Sequence, residues 1–238
     1  MNNRLFRFCR FLVRKNLKPY TVVQNSNFEE PAASTSHHST AGPKVYIVHH
    51  QNLRGPITSM AWFNQPLRPW VLSVFCERQS CFDQFYNYTF TERFGFKRPL
   101  AAIISFPISF FVPALMRSTN VIPVYRQPRE TIKTFRQSLE ALAAGENLLI
   151  SPDVDYASTS DETGEVYDGF LSLEKHYYRT AKEHISFIPL HIDVKERRIL
   201  IGSEIIFRED INFREAKSEA AQRLRAEMDR LERGLTIT

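Results

Sequence analysis

The chain has 238 residues, 43% of them apolar, enough for one substantial core and too many for a disordered or fibrous polypeptide. A net charge of +5 admits two kinds of anionic partner, membranes and nucleic acid. The three cysteines, Cys9, Cys76 and Cys81, have neither the even count of a disulfide framework nor the paired spacing of a zinc site, so a reducing cytoplasm is the simplest compartment.

The positive charge is concentrated at the start. In MNNRLFRFCRFLVRKNLKPY, Arg4, Arg7 and Arg14 fall on one helical face and Leu5, Phe8 and Leu12 on another. Residues 1–23 therefore read as a basic amphipathic helix on an anionic membrane surface, the plainer alternative being a helix packed on the domain. With no uninterrupted apolar h-region and no small-residue cleavage site, the expectation is a peripheral protein on the cytoplasmic face of the membrane, not a secreted one. Nucleic acid is not expected as a partner, because it calls for a basic aromatic face within the domain and not a basic N-terminal segment.

Residues 24–43, rich in Ser, Thr, Ala, Pro and Gly, read as a linker in which His37 and His38 are exposed passengers. KVYIVHH is then a buried strand ending at His49 and His50, and Gly55-Pro56 opens a helix that turns Ile57, Met60 and Ala61 to the core. Residues 76–96 are dense in aromatic side chains and read as core or as the wall of a site for an apolar chain. The uncharged stretch 101–116 is interrupted by Pro107 and Pro113 and falls short of the roughly twenty residues a span requires, so it reads as buried or membrane-dipping. NVIPVYR is a second strand. RETIKTFRQSLEALAAGE is a helix with Ile132, Phe135, Leu139 and Leu142 on one face and Gly145 at its end. NLLISPDVDY gives a strand that stops at Pro152, followed by a helix near 170–182, the strand ISFIPLHIDV, a strand pair near 198–207 and a charged helix from about Asn212 to Arg233. This alternation predicts an α/β domain over residues 44–238, with a mixed central sheet and flanking helices.

Four short motifs in this order resemble the glycerolipid acyltransferases of the lysophosphatidate type. HHQNLRG is similar to that family's His-x-x-x-x-Asp, with His50 at the histidine and Gly55 where the aspartate stands. VIPVYR puts Arg126 at the arginine of the second motif, LISPDVDY sets Ser151 to Tyr156 along Phe-Pro-Glu-Gly-Thr-Arg, and FIPLHI matches the fourth at Ile188, Pro189 and Leu190. The third motif ends in Tyr156 where the family has arginine. The resemblance spans residues 45–193 and implies a glycerol-phosphate acyltransferase-like fold. It also implies transfer of a fatty acyl group from acyl-CoA or acyl-carrier protein to the hydroxyl of a lysophospholipid or other lipid-like acceptor, with no bound cofactor.

Under that resemblance His50 is the base that takes the hydroxyl proton, a task imidazole suits because it titrates near neutrality. Two other readings of His50 stand beside it: a loop histidine that bonds backbone, and a ligand-binding one. His49, expected to point the other way along the strand, is the lesser candidate for the base. With Gly55 unable to orient the ring, a carboxylate from elsewhere is expected at it, from Asp153, Asp155 or Glu77. Asp153 is thus a catalytic candidate, and Arg126, Arg54, Asp155 and Tyr156 are candidates for substrate binding, the arginines as phosphate clamps. No metal is expected. His176, His184 and His191 read as structural.

Overall fold

The computed structural model describes residues 3–24, 42–153 and 167–234. Among them are seven strands: β1 Thr21–Gln24, β2 Lys44–Val48, β3 Leu67–Leu72, β4 Ile122–Val124, β5 Asn147–Ile150, β6 Ser186–Asp193 and β7 Arg198–Ile201. The helices are α1 Arg4–Asn16, α2 Arg54–Trp62, α3 Arg78–Asp83, α4 Arg98–Thr119, α5 Pro128–Ala143, α6 Leu173–Ala181 and α7 Phe213–Arg233, and α3 continues as a π-helix over Gln84–Arg93. The fold class is α/β, with parallel and antiparallel strand pairs.

These elements form two compact units, one made of the residues up to Val13 with Arg68–Gln137, the other of Arg14–Leu67 with Ser138 onward. Helices α1 and α5 each contribute residues to both units.

The larger unit carries five strands in the order β1-β7-β6-β2-β5. β2 pairs in parallel with both β5 and β6, β1 pairs in parallel with β7, and β6 and β7 are antiparallel. Parallel strands covered on both faces need continuous apolar runs, and β2 supplies one in Val45, Tyr46, Ile47 and Val48, all buried. All eight residues of β6 are buried as well. Helix α7 packs against β6 and buries Ala216, Ala220, Leu224, Met228 and Leu231, a spacing of three and four that keeps one face inward. Its start is fixed by Asn212, whose side-chain oxygen accepts the Glu215 N–H at 3.1 Å. Where a strand pair was expected near 198–207, only β7 is a full strand, and Ile205 adds a single bridge to Phe187.

In the smaller unit β3 and β4 pair in parallel, with Val71 beside Pro123. Helix α4 runs unbroken for 22 residues through Pro107 and Pro113, contrary to the expected interruption. Each proline forfeits one backbone bond, and the remaining ladder holds. The helix buries Ala101, Ser105, Ser109 and Ser118 and exposes Leu100, Ile103, Phe106, Phe110 and Phe111.

Two expected core faces are also corrected. Ile57 is 46% exposed and Ile132 73% exposed, while α5 turns Thr134, Ser138, Ala141 and Leu142 inward. A hydroxyl suits position 134, because Thr134 Oγ1 donates to the Pro123 carbonyl at 2.8 Å and accepts from the Tyr125 N–H at 3.2 Å, satisfying backbone in and just after β4 that periodicity alone does not register.

Candidate functional site

The parallel pairing of β2 with β5 sets Ile47 opposite Ile150. Both chains therefore leave the sheet at the same edge, His49 two residues past that pair and Asp153 three past it. This is the carboxyl edge of parallel strands, where open α/β sheets bind their ligands.

The two meet there. His49 is 6% exposed, and its Nδ1 is hydrogen-bonded to Asp153 Oδ1. The other carboxylate oxygen, Oδ2, accepts the main-chain N–H of His50 at 2.7 Å. Asp153, one of the carboxylates expected at the His50 ring, thus binds the ring of His49 and meets His50 through its backbone. The His50 ring faces the following turn, with Nδ1 accepting the Leu53 N–H at 3.2 Å. Adjacent residues on extended chain point to opposite sides, so a histidine pair offers one ring to each side. Which ring finds the acid depends on how β5 pairs with β2, and that is why the sequence motif pointed to the neighbour.

The loop between the histidines and α2 is held in an unusual conformation. Gln51, Asn52 and Leu53 all have left-handed backbone, with φ of 45°, 50° and 74°. For non-glycine residues each such conformation costs about 1 kcal/mol. Of the six non-glycine residues with positive φ among the described residues, Asn120 and Lys182 end helices α4 and α6, where that conformation is ordinary, leaving this loop as the strained place of the backbone together with Arg197.

The loop then enters α2 against its own strand. A β-carbon at position 55 would overlap the His49 carbonyl oxygen and lie 3.2 Å from Val48 Cγ2, so only glycine lets the helix start here. Gly55 is thus a steric requirement of this backbone, and an aspartate at that position has no room beside His49.

With its carboxylate partner at Nδ1, the His49 ring is fixed in the tautomer whose basic lone pair is on Nε2. Arg54, the first residue of α2, is exposed in the same unit. Arg126, also exposed, follows β4 in the smaller unit, which also holds the exposed Glu77 just before α3. Asp155 and Tyr156, with the linker histidines His37 and His38, lie outside the described residues. Burial pushes the thiols of Cys76 and Cys81 up to about 11, too high for either to be a thiolate nucleophile near neutral pH. Among the described residues no cluster of three His, Cys, Asp or Glu could hold a metal ion.

A second histidine site serves the fold. His184 Nδ1 binds Glu174 Oε1 at 2.6 Å and Nε2 binds Glu209 Oε1 at 2.9 Å, under the stacked ring of Tyr178. Glu174, itself buried, also accepts the Ile185 N–H at the start of β6 at 2.9 Å, tying α6 to the sheet. Compared with family models, curated proteins and solved structures, this chain matches none of them, and its site is defined by its own geometry.

Proposed function

We propose that the chain is a peripheral membrane acyltransferase of glycerol-phosphate acyltransferase-like fold, moving a fatty acyl group from an acyl thioester to the hydroxyl of a lysophospholipid or other lipid-like acceptor. The observation that carries this reading is the buried His49–Asp153 pair at the carboxyl edge of β2 and β5. Asp153 holds the Nδ1 proton, so His49 Nε2 can take the proton of an acceptor hydroxyl as its oxygen attacks the thioester carbonyl. The tetrahedral intermediate then expels the thiolate, which recovers the proton from the imidazolium. The role assigned to His50 by the motif passes to His49 in this scheme, and His50 helps to shape the loop.

Support for the membrane comes from the smaller unit. The exposed face of α4 is apolar from Leu100 to Phe111, about 17 Å along the helix. In α1, Arg4 and Arg7 accompany the exposed Phe8 and Phe11, with no acidic residue in the helix. Arginines also line a cavity of about 420 Å³ walled by Arg4, Leu5, Ala114, Arg117 and Ser118. An anionic lipid surface satisfies both features at once.

The test is transfer of a radiolabelled acyl group from acyl-CoA, and separately from acyl-carrier protein, to lysophospholipids. His49→Ala and Asp153→Asn should each abolish it, and retention of wild-type rates by either variant removes the reading. A second reading, binding of lipid or acyl chains without transfer, draws on the near-complete burial of His49 and on Asp153 tethering the His50 backbone, a structural use of the same carboxylate. Saturable acyl-chain binding by a wild-type protein that transfers nothing from either donor would select it.

A further inference from the structure

Immediately after the histidine loop, the larger unit holds a cavity of about 440 Å³ whose lining includes Lys18, Arg54 and Arg197 and no acidic residue. Among the described residues no carboxylate pairs with any of these three cations, whereas Arg198, next to Arg197, is paired with Asp193 at 3.1 Å. Three cations around one cavity repel one another, and an arrangement of this kind is relieved by a ligand anion.

Beside the cations and the polar Asn52 and Thr58, the lining carries large apolar side chains that a folded surface rarely leaves uncovered together. Leu17, Leu53 and Ile57 face it, and all three are among the exposed large apolar side chains, Leu53 at 53%. The backbone adds a third observation. Asn52, Leu53 and Arg197 line this cavity in left-handed conformation, and Arg197 with φ 52° occupies a turn position that ordinarily takes glycine or asparagine. Arginine stands there in spite of the cost of that backbone conformation. The wall is also tied to the histidine pair: Asp153 holds the His50 N–H, and the His50 ring accepts from Leu53.

We infer that this cavity binds a phosphate-bearing amphiphile, with Arg54, Arg197 and Lys18 on the anion and Leu17, Leu53 and Ile57 on the apolar chain. Lys18 and Arg197 are residues to which the motif resemblance gives no role. Calling the ligand a substrate rests on the acyl-transfer reading, while the binding itself does not. Its phosphate could be that of a lysophospholipid acceptor or of the donor's carrier, and the two share the chemistry the cavity recognises.

The experiment is calorimetric titration of the full-length protein with dodecyl phosphate below its micellar concentration, beside dodecyl maltoside and inorganic phosphate. Dodecyl phosphate should bind at one site, and at least tenfold more tightly than either comparison ligand, since each of those lacks one half of the recognition. Arg54→Ala and Arg197→Gly should each weaken it about tenfold. Glycine at 197 accepts the positive φ without strain, and an unchanged thermal midpoint of that variant separates lost charge from lost folding. Unchanged affinity in the Arg54→Ala/Arg197→Gly double variant, or equally tight dodecyl maltoside binding, overturns the proposal. Competition against dodecyl phosphate by palmitoyl-CoA or by a lysophospholipid with a terminal phosphate supports it and identifies the source, and competition by neither overturns it. Transfer activity that survives the double variant removes the cavity alone, and dodecyl phosphate binding by a wild type without transfer removes the acyl-transfer reading alone.

Discussion

The two compact units differ in what their longest helix and central strands turn inward. In the larger unit β2, β5 and β6 hide Val45, Ile47, Leu148, Ile150, Phe187 and Ile188 almost completely, as strands covered on both faces must. In the smaller unit α4 turns Ser105, Ser109 and Ser118 inward and Ile103, Phe106 and Phe110 outward, with Ile103 71% exposed. The Oγ of Ser105 is buried with no hydrogen-bond partner among the described residues, whereas Ser109 and Ser118 donate within the helix to Phe106 and Leu115. Small inward residues let α4 approach α3 and the π-helix closely, and the large ones are left for whatever lies outside. The larger unit keeps the apolar side chains of its central strands inside, and the smaller unit presents those of α4 outside.

The sharpest separation of the two comes from loss of function without loss of location. His49→Ala and Asp153→Asn should each lower acyl transfer by about 10³ to 10⁴-fold, the scale for removing an oriented histidine base or its carboxylate. Binding to anionic vesicles should stay at the wild-type level in both, measured by co-sedimentation. His50→Ala should lower transfer by no more than about tenfold, because its Nδ1 bond to the Leu53 N–H shapes the loop and takes no substrate proton in this scheme. If His50→Ala falls as far as His49→Ala, the base is the histidine to which the motif pointed.

Next in size is Gly55→Asp. Read from the motif, this substitution restores a missing partner. Read from the backbone, it drives a side chain into the His49 carbonyl, and should destabilise the protein by about 3 kcal/mol or more while lowering transfer. Thermal denaturation decides, since a Gly55→Asp protein that melts with the wild type and transfers faster would show that the helix start can yield. The same position shows where sequence legibility ended. The strands ending at Val48 and Ile150, α2, α5 and α7 were all readable, because apolar runs, Gly-Pro and helical periodicity are local signals. The identity of the paired histidine was not, because it follows from the β2–β5 pairing between residues a hundred positions apart. Nor was the inversion of α4, since an uncharged run looks the same whether its large side chains point in or out. β1 and β3 were missed outright: β1 fell at the end of a segment read as helix, and β3 carries Arg68 and Pro69 inside a short strand, against the usual preferences.

The surface of the smaller unit is tested by Ile103→Glu and Phe110→Glu. Both side chains are exposed, so each substitution should change stability by under about 0.5 kcal/mol while weakening binding to anionic vesicles roughly tenfold. Removing residues 1–13 should weaken binding in a salt-dependent manner through the loss of Arg4, Arg7 and Arg10. That truncation keeps Arg14, whose Nε donates to the Ala61 carbonyl at 2.7 Å, and so leaves α2 supported. Vesicle binding untouched by both changes would leave the exposed face of α4 without this role.

The smallest effect expected belongs to the larger unit and tests whether its buried polar groups act on stability instead of function. At His184, burial alone lowers the pKa, but hydrogen bonds to Glu174 and Glu209 outweigh it, and the net shift is upward from 6.5. Burial raises the Glu174 carboxyl from 4.5, against the lowering by the Ile185 N–H and His184, while the bond to His184 lowers Glu209. A histidine whose folded pKa is raised contributes stability that is fully present below its unfolded value and lost as pH rises through the folded one. Glu174 works in the same direction at lower pH, since its raised value makes the folded state progressively less favourable as the carboxyl ionises. Glu209 works in the opposite direction, its contribution being present above 4.5 and lost on acidification. Stability should therefore decline as pH is raised from about 6.5. His184 is partly accessible and Glu209 exposed, so solvent screening keeps the decline to about 2 °C in the thermal midpoint. His184→Gln should flatten that alkaline limb and leave acyl transfer at wild-type pH dependence, because its partners tie α6 to β6 and take no part in the His49–Asp153 pair. A limb that persists in His184→Gln would assign the decline to another group, and a transfer profile that moved with it would place His184 in the chemistry.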